Sequence, residues 1–302
     1  MGVRLLQTFL SEMNVKAQEM HLRTLHGKKI AIDIGIYLYR FKEVGRLIEN
    51  MYLMCSIFRY YHISPIFVFD GWALEIKRKT LEKRKQIREQ AKKELEMMEN
   101  CNYNKDKIDI LKKKMVCVNK YDYNKVKELL DAYGMTYITA KREADEVCAA
   151  LCLKNITWGC LTEDTDIMAY GCKRILRYFS LIRHTFVFYD MLSILNNLKI
   201  SPDVFKELCV CSGNDYINSP KNIFYYYTLF QKYTKSTNFL EWLLSNKYLS
   251  IQQYYNRKDI LDIYLMKTYN PFEDIPYVVI KNKNVNKKNL IYILKSVGFI
   301  FP

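Results

Sequence analysis

Three short apolar runs in the chain each end at acidic residues, and this pattern restricts the fold more than any other feature. Residues 30–32 lead to Asp33, residues 66–69 lead to Asp70, and residues 158–161 lead to the segment T-E-D-T-D. Apolar runs of this length, separated by stretches with helical spacing, predict buried strands of a parallel sheet. The carboxyl ends of parallel strands lie at one edge of a sheet, where open α/β sheets form their binding crevices. The sequence therefore predicts a crevice lined with acids.

The rest of the chain alternates between strand and helix patterns up to about residue 200. Helices are predicted at 2–10, 37–60, 123–134, 191–198 and 202–211, and further strands at 135–138, 175–179 and 185–189. This alternation indicates an α/β fold, with a mostly parallel central sheet and helices on both faces. Beyond it the chain is helical and rich in Tyr and Lys, with a last helix at 288–296. We expect a core at 1–200 and a helical subdomain at 201–302 that packs on it.

Two pairs of acids stand two residues apart, Glu143 with Asp145 and Asp164 with Asp166. The first pair precedes a helical apolar run, and acids in a first helical turn also stabilise the helix dipole. The second pair follows a strand, where adjacent carboxylates repel each other and raise each other's pKa unless a cation lies between them. Four converging acids imply a metal. Carboxylate donors without nearby His or Cys favour Mg²⁺, with Mn²⁺ as a substitute.

The chain of 302 residues is basic, with 47 Lys and Arg against 32 Asp and Glu and a net charge of +15. Such a surplus indicates a polyanionic partner, and nucleic acid comes first. The apolar runs are too short to span a bilayer, so we expect no membrane partner. Residues 77–120 alone hold fifteen basic and seven acidic side chains, with a break between two helices at 100–104. They form either a solvated hairpin held by i,i+4 charge pairs or a basic arm that contacts phosphates.

Nine cysteines occur without the paired spacing of a disulfide framework, which indicates reduced thiols and an intracellular protein. Cys148 and Cys152 lie one helical turn apart, and Cys209 and Cys211 form a C-x-C. Neither pair has a nearby His. Packing in the core explains both pairs better than zinc does.

In order and spacing these segments resemble the structure-specific 5′ nucleases of the flap endonuclease and Rad2/XPG family. The resemblance runs from Met1 to about Tyr216 and rests on M-G-V-R-L-L-Q-T-F-L, A-I-D-I-G-I-Y-L-Y, F-V-F-D-G, R-E-A-D-E-V-C-A-A-L, T-E-D-T-D and C-S-G-N-D-Y. It implies a PIN-like 5′ nuclease core with a basic helical arch at about 77–120.

The resemblance also implies the roles of individual residues. The metal-site acids it implies are Asp33, Asp70, Glu143, Asp145, Asp164, Asp166 and Asp215. They would share two Mg²⁺ ions, with the two close acid pairs nearest the ions and the other three acids acting partly through water. Lys77 and Arg84, at the base of the arch, would hold the scissile phosphate as catalytic residues. Nucleic-acid contacts are implied for Tyr39, on which a base would stack, and for Gly2 and Lys221.

The chain departs from the family at two places. Asp145 replaces a Glu, which shortens one ligand. Residues 217–223 keep Pro220 and Lys221 but lack the family's glycine-rich turn, which grips duplex phosphates, often through a potassium ion. We therefore expect no potassium site, and expect the side chains of Ser219, Asn222 and Ile223 to hinder close approach of the backbone to phosphate.

The expected function is that of a metal-dependent endonuclease and 5′-3′ exonuclease acting on flap, nick or junction DNA in replication, repair or recombination. An RNA endonuclease, a junction resolvase and a catalytically silent nucleic-acid-binding scaffold remain as alternatives. The intact set of acids argues against the scaffold, because a binder would gain affinity by losing them. We expect a monomer in the nucleus, or in a viral replication compartment. No sliding-clamp peptide precedes Pro302, so clamp binding through the usual tail is not expected.

Overall fold

A computed structural model describes residues 2–71, 78–98, 105–234, 237–275 and 282–299 of the chain. Its centre is a sheet of seven strands: β1 Gln18–His21, β2 Lys29–Asp33, β3 Ser64–Phe69, β4 Thr136–Thr139, β5 Gly159–Leu161, β6 Arg174–Arg177 and β7 Thr185–Asp190. The strand order is β1-β7-β6-β5-β2-β3-β4. The five strands from β6 to β4 run parallel, while β7 and β1 add antiparallel pairs at one edge. The predicted mostly parallel sheet is confirmed.

Strand β1 was not expected from the sequence. Its residues, Q-E-M-H, are half-exposed or exposed and show no apolar alternation. It forms because β7 offers an unpaired edge, on which Gln18 pairs with Phe188 and His21 with Thr185. Only the tertiary partner specifies this strand.

Fourteen helices surround the sheet in the described residues. They are α1 Leu6–Glu12, α2 Gly35–Glu43, α3 Leu47–Tyr60, α4 Arg78–Met98, α5 Lys105–Met115, α6 Lys120–Tyr133, α7 Ala144–Leu153, α8 Asp166–Ala169, α9 Met191–Leu198, α10 Pro202–Cys211, α11 Ile223–Phe230, α12 Phe239–Ser245, α13 Ile251–Tyr264 and α14 Lys287–Ser296. The long helix expected at 37–60 is two helices. They are separated at Gly45, whose φ of 71° does not belong to a right-handed helix.

Two apolar layers cover the two faces of the sheet. Alternate residues of β2 face opposite ways, so that Ala31 lies in one layer while Ile30 and Ile32 lie in the other. The first layer contains α1 and α7 to α13, and the second contains α2, α3, α6 and α14. The last helix, α14, thus packs beside α6 on the core and not with α10–α13. Helices on both faces are confirmed.

The basic segment forms two helices, α4 and α5, which pack on each other through Ala91, Leu95 and Leu111. The weak helical stripe that the sequence predicts here, Leu81, Ile87, Ala91, Leu95 and Met98, supplies Ala91 and Leu95 to this contact, whereas Ile87 is exposed. Lys85 and Glu89, and also Lys92 and Glu96, form i,i+4 pairs at 3.8 and 3.9 Å. A small apolar core and solvated ion pairs stabilise the hairpin. These pairs neutralise only part of its positive charge.

The four cysteines with suggestive spacing, Cys148, Cys152, Cys209 and Cys211, are free and buried in the first layer. Their prediction as core residues is confirmed. No helix in the described parts of the chain is long and apolar enough to cross a membrane.

Candidate metal centre

Asp33 and Asp70 lie side by side at the carboxyl ends of two paired parallel strands, β2 and β3. The backbone amide of Gly35 donates to Asp33 Oδ1 at 3.1 Å. A Cβ atom on Gly35 would lie 3.4 Å from Asp33 Oδ1 and 3.3 Å from Asp70 Oδ2. The first turn of α2 therefore approaches both carboxylates closely, and a larger residue there would crowd them.

Asp164 and Asp166 follow β5, the strand on the other side of β2. Thr162 connects this loop to Asp33, because its Oγ1 donates to Asp33 Oδ2 at 2.8 Å and accepts the amide of Asp164 at 3.0 Å. The amide of Asp166, the first residue of α8, donates to Asp164 Oδ1 at 3.0 Å. This role of Thr162 was not predicted from the sequence. The one local indication was a hydroxyl residue directly after a strand.

Glu143 and Asp145 lie at the start of α7. Glu143 is the N-cap residue, yet its side chain makes no capping hydrogen bond. Instead Asp70 Oδ1 accepts the amide of Ala144, the first residue of the helix, at 3.0 Å. Helix capping therefore does not account for Glu143, whereas Asp145, in the first turn, still has a favourable interaction with the dipole.

The acids influence one another electrostatically. Burial, followed by the charges of Asp70 and then Asp164, raises the pKa of Asp33 from 3.8 to about 7, against the opposing hydrogen bond from Thr162. The four acids of the two close pairs are also buried. The exposed fractions of Glu143, Asp145, Asp164 and Asp166 are 1–9%. So much negative charge in a buried region is unfavourable unless cations offset it.

Asp215 lies on the loop after α10 and is half-buried. The hydroxyl of its neighbour Tyr216 hydrogen-bonds that of Tyr170, directly after α8, at 2.9 Å. The loop is also fastened to the N-terminal segment, because the amide of Arg4 donates to the carbonyl of Gly213 at 2.9 Å. The structure thus brings Asp215 toward the helix that begins with Asp166.

The donor set fits hydrated divalent cations. Within the described residues, no three Asp, Glu, His or Cys side chains converge closely enough to hold one ion alone. The acids at the carboxyl ends of β2, β3 and β5, called the acid basin below, therefore do not form a closed cage around one ion in the described residues. Mg²⁺ suits such a basin, since it takes oxygen ligands and keeps several of its waters.

Gly2 lies directly against the acids, in a left-handed conformation with φ of 87°. A Cβ atom at this position would lie 2.2 Å from Asp164 Oδ1, 2.5 Å from Thr165 Oγ1 and 2.7 Å from the amide nitrogen of Asp166. Only glycine fits here without displacing the loop. The sequence analysis assigns Gly2 to nucleic acid; the structure adds this contact with the acid-bearing loop.

Tyr39 and Arg40 lie on α2 near the acids. Tyr39 is 40% exposed, so it is accessible to solvent, as base stacking requires. Arg40 Nη1 lies 3.2 Å from Glu163 Oε1. Glu163 also accepts the amide of Tyr178 at 2.8 Å, so this acid of T-E-D-T-D is engaged away from the basin. This ion pair between Arg40 and Glu163 was not predicted from the sequence.

The two basic residues expected at the base of the arch are not tested. Lys77 lies outside the described residues. Arg84 belongs to α4, but its side chain lies outside the described part of the structure.

At the turn of residues 219–223 the structure corrects part of the prediction. Ser219 and Ile223 are fully buried, so their side chains point inward and do not hinder a phosphate as expected. Asn222 caps α11 by accepting the amide of Tyr225 at 3.3 Å. Lys221 is exposed and its Nζ lies 4.9 Å from the centre of the Tyr225 ring. The cation remains accessible to a phosphate.

Comparison with known proteins finds two matching family models, the XPG N-terminal domain over residues 1–91 and the XPG I-region over residues 134–215. The chain is 30% identical over 244 residues to flap endonuclease 1-A of Oryza sativa subsp. japonica, across 74% of this chain. It spans 64% of that relative's length, less than two thirds.

Solved structures match nearly the whole chain. The catalytic core of Rad2 in complex with a DNA substrate matches with a TM-score of 0.70 and 22% identity, covering 98% of this chain and 95% of that one. The Holliday junction-resolving enzyme GEN1, in complex with product DNA and a Mg²⁺ ion, matches with a TM-score of 0.64 and 16% identity, covering 96% and 72%. At these identities the likeness establishes the fold.

Proposed function

The chain belongs to the family of XPG proteins and flap endonucleases, and from that premise we propose that it is a divalent-metal-dependent, structure-specific 5′ nuclease. Its substrate is branched or nicked DNA. The observation that carries the proposal is the acid basin at the carboxyl ends of β2, β3 and β5, where burial and the charges of Asp70 and Asp164 raise the pKa of Asp33 to about 7. Such a basin is suited to cations that bind phosphate oxygens and is unfavourable without them.

The acids would hold two Mg²⁺ ions, or Mn²⁺ in their place. Glu143, Asp145, Asp164 and Asp166 would bind the ions most directly, and Asp33, Asp70 and Asp215 would act partly through water. When bound, two such ions supply a water that is acidic enough to act as nucleophile and neutralise charge on the leaving oxygen. Thr162 keeps two of the acid-bearing strand ends in a fixed relation, because it bonds both Asp33 and the amide of Asp164.

The basic hairpin and the exposed aromatic act on the nucleic acid. Exposed lysines of α4 and α5 contact backbone phosphates, and Lys77 and Arg84 hold the scissile phosphate. Tyr39 stacks on a base, and Lys221 contacts the duplex as a point charge. The role of the family in DNA processing supports a site of action where DNA is replicated or repaired. We expect a monomer, and the missing glycines at residues 217–223 make a potassium site doubtful.

A matched panel of 5′-flap, nicked, four-way and RNA substrates tests this proposal. We expect cleavage with Mg²⁺ or Mn²⁺, none in excess chelator, and binding without cleavage in Ca²⁺. Full activity in excess chelator would contradict the metal mechanism. Junction resolution is the second candidate, because the fold matches GEN1 and the glycine-rich turn is absent; a preference for the four-way substrate over the flap would favour it.

Asp164→Asn provides the matched variant. It removes a metal ligand and a negative charge facing phosphate, so we expect the loss of most turnover with DNA affinity retained or improved. Cleavage near the wild-type rate would show that the site is misplaced.

A further inference from the structure

We propose that Asp274 is a positioning residue of the metal centre. It lies in the helical part of the chain and holds the loop that carries Glu143. The proposal rests on the proposed function, since it concerns the same acids. Asp274 is the last residue of a short 3₁₀ helix, Pro271–Asp274. It lies far along the chain from every acid that the sequence assigns to the site.

The loop between β4 and α7, residues 140–143, is held on one side by the end of β3. The amide of Ala140 donates to the carbonyl of Phe69 at 2.9 Å, and the amide of Gly71 donates to the carbonyl of Arg142 at 2.7 Å. A Cβ on Gly71 would lie 2.0 Å from the carbonyl oxygen of Ala140. On this side the loop is in close contact with the strand that delivers Asp70.

Asp274 holds the opposite side of the loop. Its Oδ2 accepts the backbone amide of Lys141 at 2.8 Å, and its Oδ1 lies 3.5 Å from Lys141 Nζ. The Asp274 side chain is 1% exposed, so its carboxylate is largely shielded from water. A charged acceptor makes the strongest backbone hydrogen bonds, and losing it would remove the partner that holds the amide of Lys141 in place.

Arg142 adds a second attachment between the same two segments. Its guanidinium lies 3.1 Å from Glu146 on α7, donates to Thr268 Oγ1 at 3.4 Å and lies over the Tyr269 ring at 5.0 Å. The Asp274 carboxylate in turn helps burial to raise the pKa of Tyr269. Thr268, Tyr269 and Asp274 thus form a brace, which contacts Lys141 and Arg142 in the loop immediately before Glu143.

The consequence concerns metal affinity. A loop fixed on both sides keeps Glu143, and with it the first turn of α7, in place before an ion arrives. If the brace is removed, part of the binding free energy must order the loop. Mutation of a residue that orients a metal ligand without binding the metal itself typically lowers metal affinity or activity by about 10–100-fold.

Asp274→Ala tests the proposal, with Asp262→Ala as the control. Asp262 pairs with Lys267 at 3.2 Å on the end of α13, so its removal also deletes a carboxylate near the brace without touching the loop. The first measurement is hydrogen exchange of the amides at 139–147. We expect exchange faster by about tenfold or more in Asp274→Ala, and no change in Asp262→Ala.

The second measurement is metal affinity, read as the rise in melting temperature that Ca²⁺ produces and as the Mg²⁺ concentration for half-maximal cleavage. We expect the Mg²⁺ midpoint to rise about tenfold in Asp274→Ala. It should rise by a smaller but still measurable factor in Asp274→Asn, whose neutral amide oxygen accepts from Lys141 more weakly than the carboxylate does. If Asp274→Ala does not fold, the exchange and midpoint of Asp274→Asn decide, and wild-type values for both overturn the proposal.

Exchange and metal affinity equal to those of Asp262→Ala would likewise overturn it. If the wild-type protein cuts no substrate, the proposed function fails instead. The exchange rates and the Ca²⁺-induced stabilisation still report whether Asp274 orders the loop, so the two failures are distinguishable.

Discussion

Replacing Gly2 by alanine tests the contact between the N-terminal segment and the acids. The new Cβ would lie 2.2 Å from Asp164 Oδ1, whereas ordinary contacts begin at 3.4 Å. The acid loop or the N-terminal segment must therefore shift by about 1.2 Å. A misplacement of about 1 Å in a catalytic arrangement can cost about 10²-fold in rate.

Gly27→Ala is the matched control. Gly27 also has a positive φ, 71°, but nothing lies within 4 Å of its Cβ position. Both substitutions place an alanine at positive φ, which costs about 1–2 kcal/mol for a left-handed residue. Only Gly2→Ala also crowds the acids.

The assay compares cleavage of a 5′-flap substrate at saturating Mg²⁺, together with thermal unfolding of each variant. We expect Gly27→Ala to melt at a lower temperature and cut at the wild-type rate. Gly2→Ala should lose about 10²-fold in rate, beyond any loss of stability. Equal rates for the two variants would refute the reasoning, because they would show that the loop absorbs the extra atom without functional displacement.

Two further predictions concern charge. Neutralising Lys83, Lys92, Lys93 and Lys112, which are exposed on the hairpin, should flatten the slope of log affinity against log salt on duplex DNA by roughly three to four; an unchanged slope would assign them to solubility alone. Burial raises the pKa of Glu207 from 4.5 to about 7, so the folded state keeps a proton that the unfolded state loses, and stability should fall as pH rises through this window and level off above it. The pH-dependent loss should be no more than about 3 kcal/mol in the free energy of unfolding, measured by denaturant titration at each pH. Glu207→Gln should remove this loss, and an unchanged pH profile in the variant would contradict the assignment.

The sequence predicted the parallel strands and most helices because their signals are local. Apolar runs ending at Asp33 and Asp70 mark β2 and β3, and helices α9 and α10 begin and end at the predicted residues. Patterns over a few residues determine such elements. Strand β1 has no pattern of its own, and the break at Gly45 was not recognised within an otherwise helical stretch.

The positions of six candidate acids, all except Asp215, were also predictable, because each lies at the end of a strand or at the start of a helix and parallel strands align their carboxyl ends. The prediction for the turn at 219–223 was wrong for Ser219 and Ile223, since sequence does not say which way a side chain points in an irregular turn.

The sequence by itself determined which residues carry the charge and at which edge of the sheet they lie. Only the tertiary structure decided how they are held: Thr162 between Asp33 and Asp164, Gly2 against the acid loop, and Asp274 on the amide of Lys141. Asp274 and Lys141 are 133 positions apart. Contacts over such separations depend on the packing of whole elements, and no periodicity or local spacing in the chain encodes them.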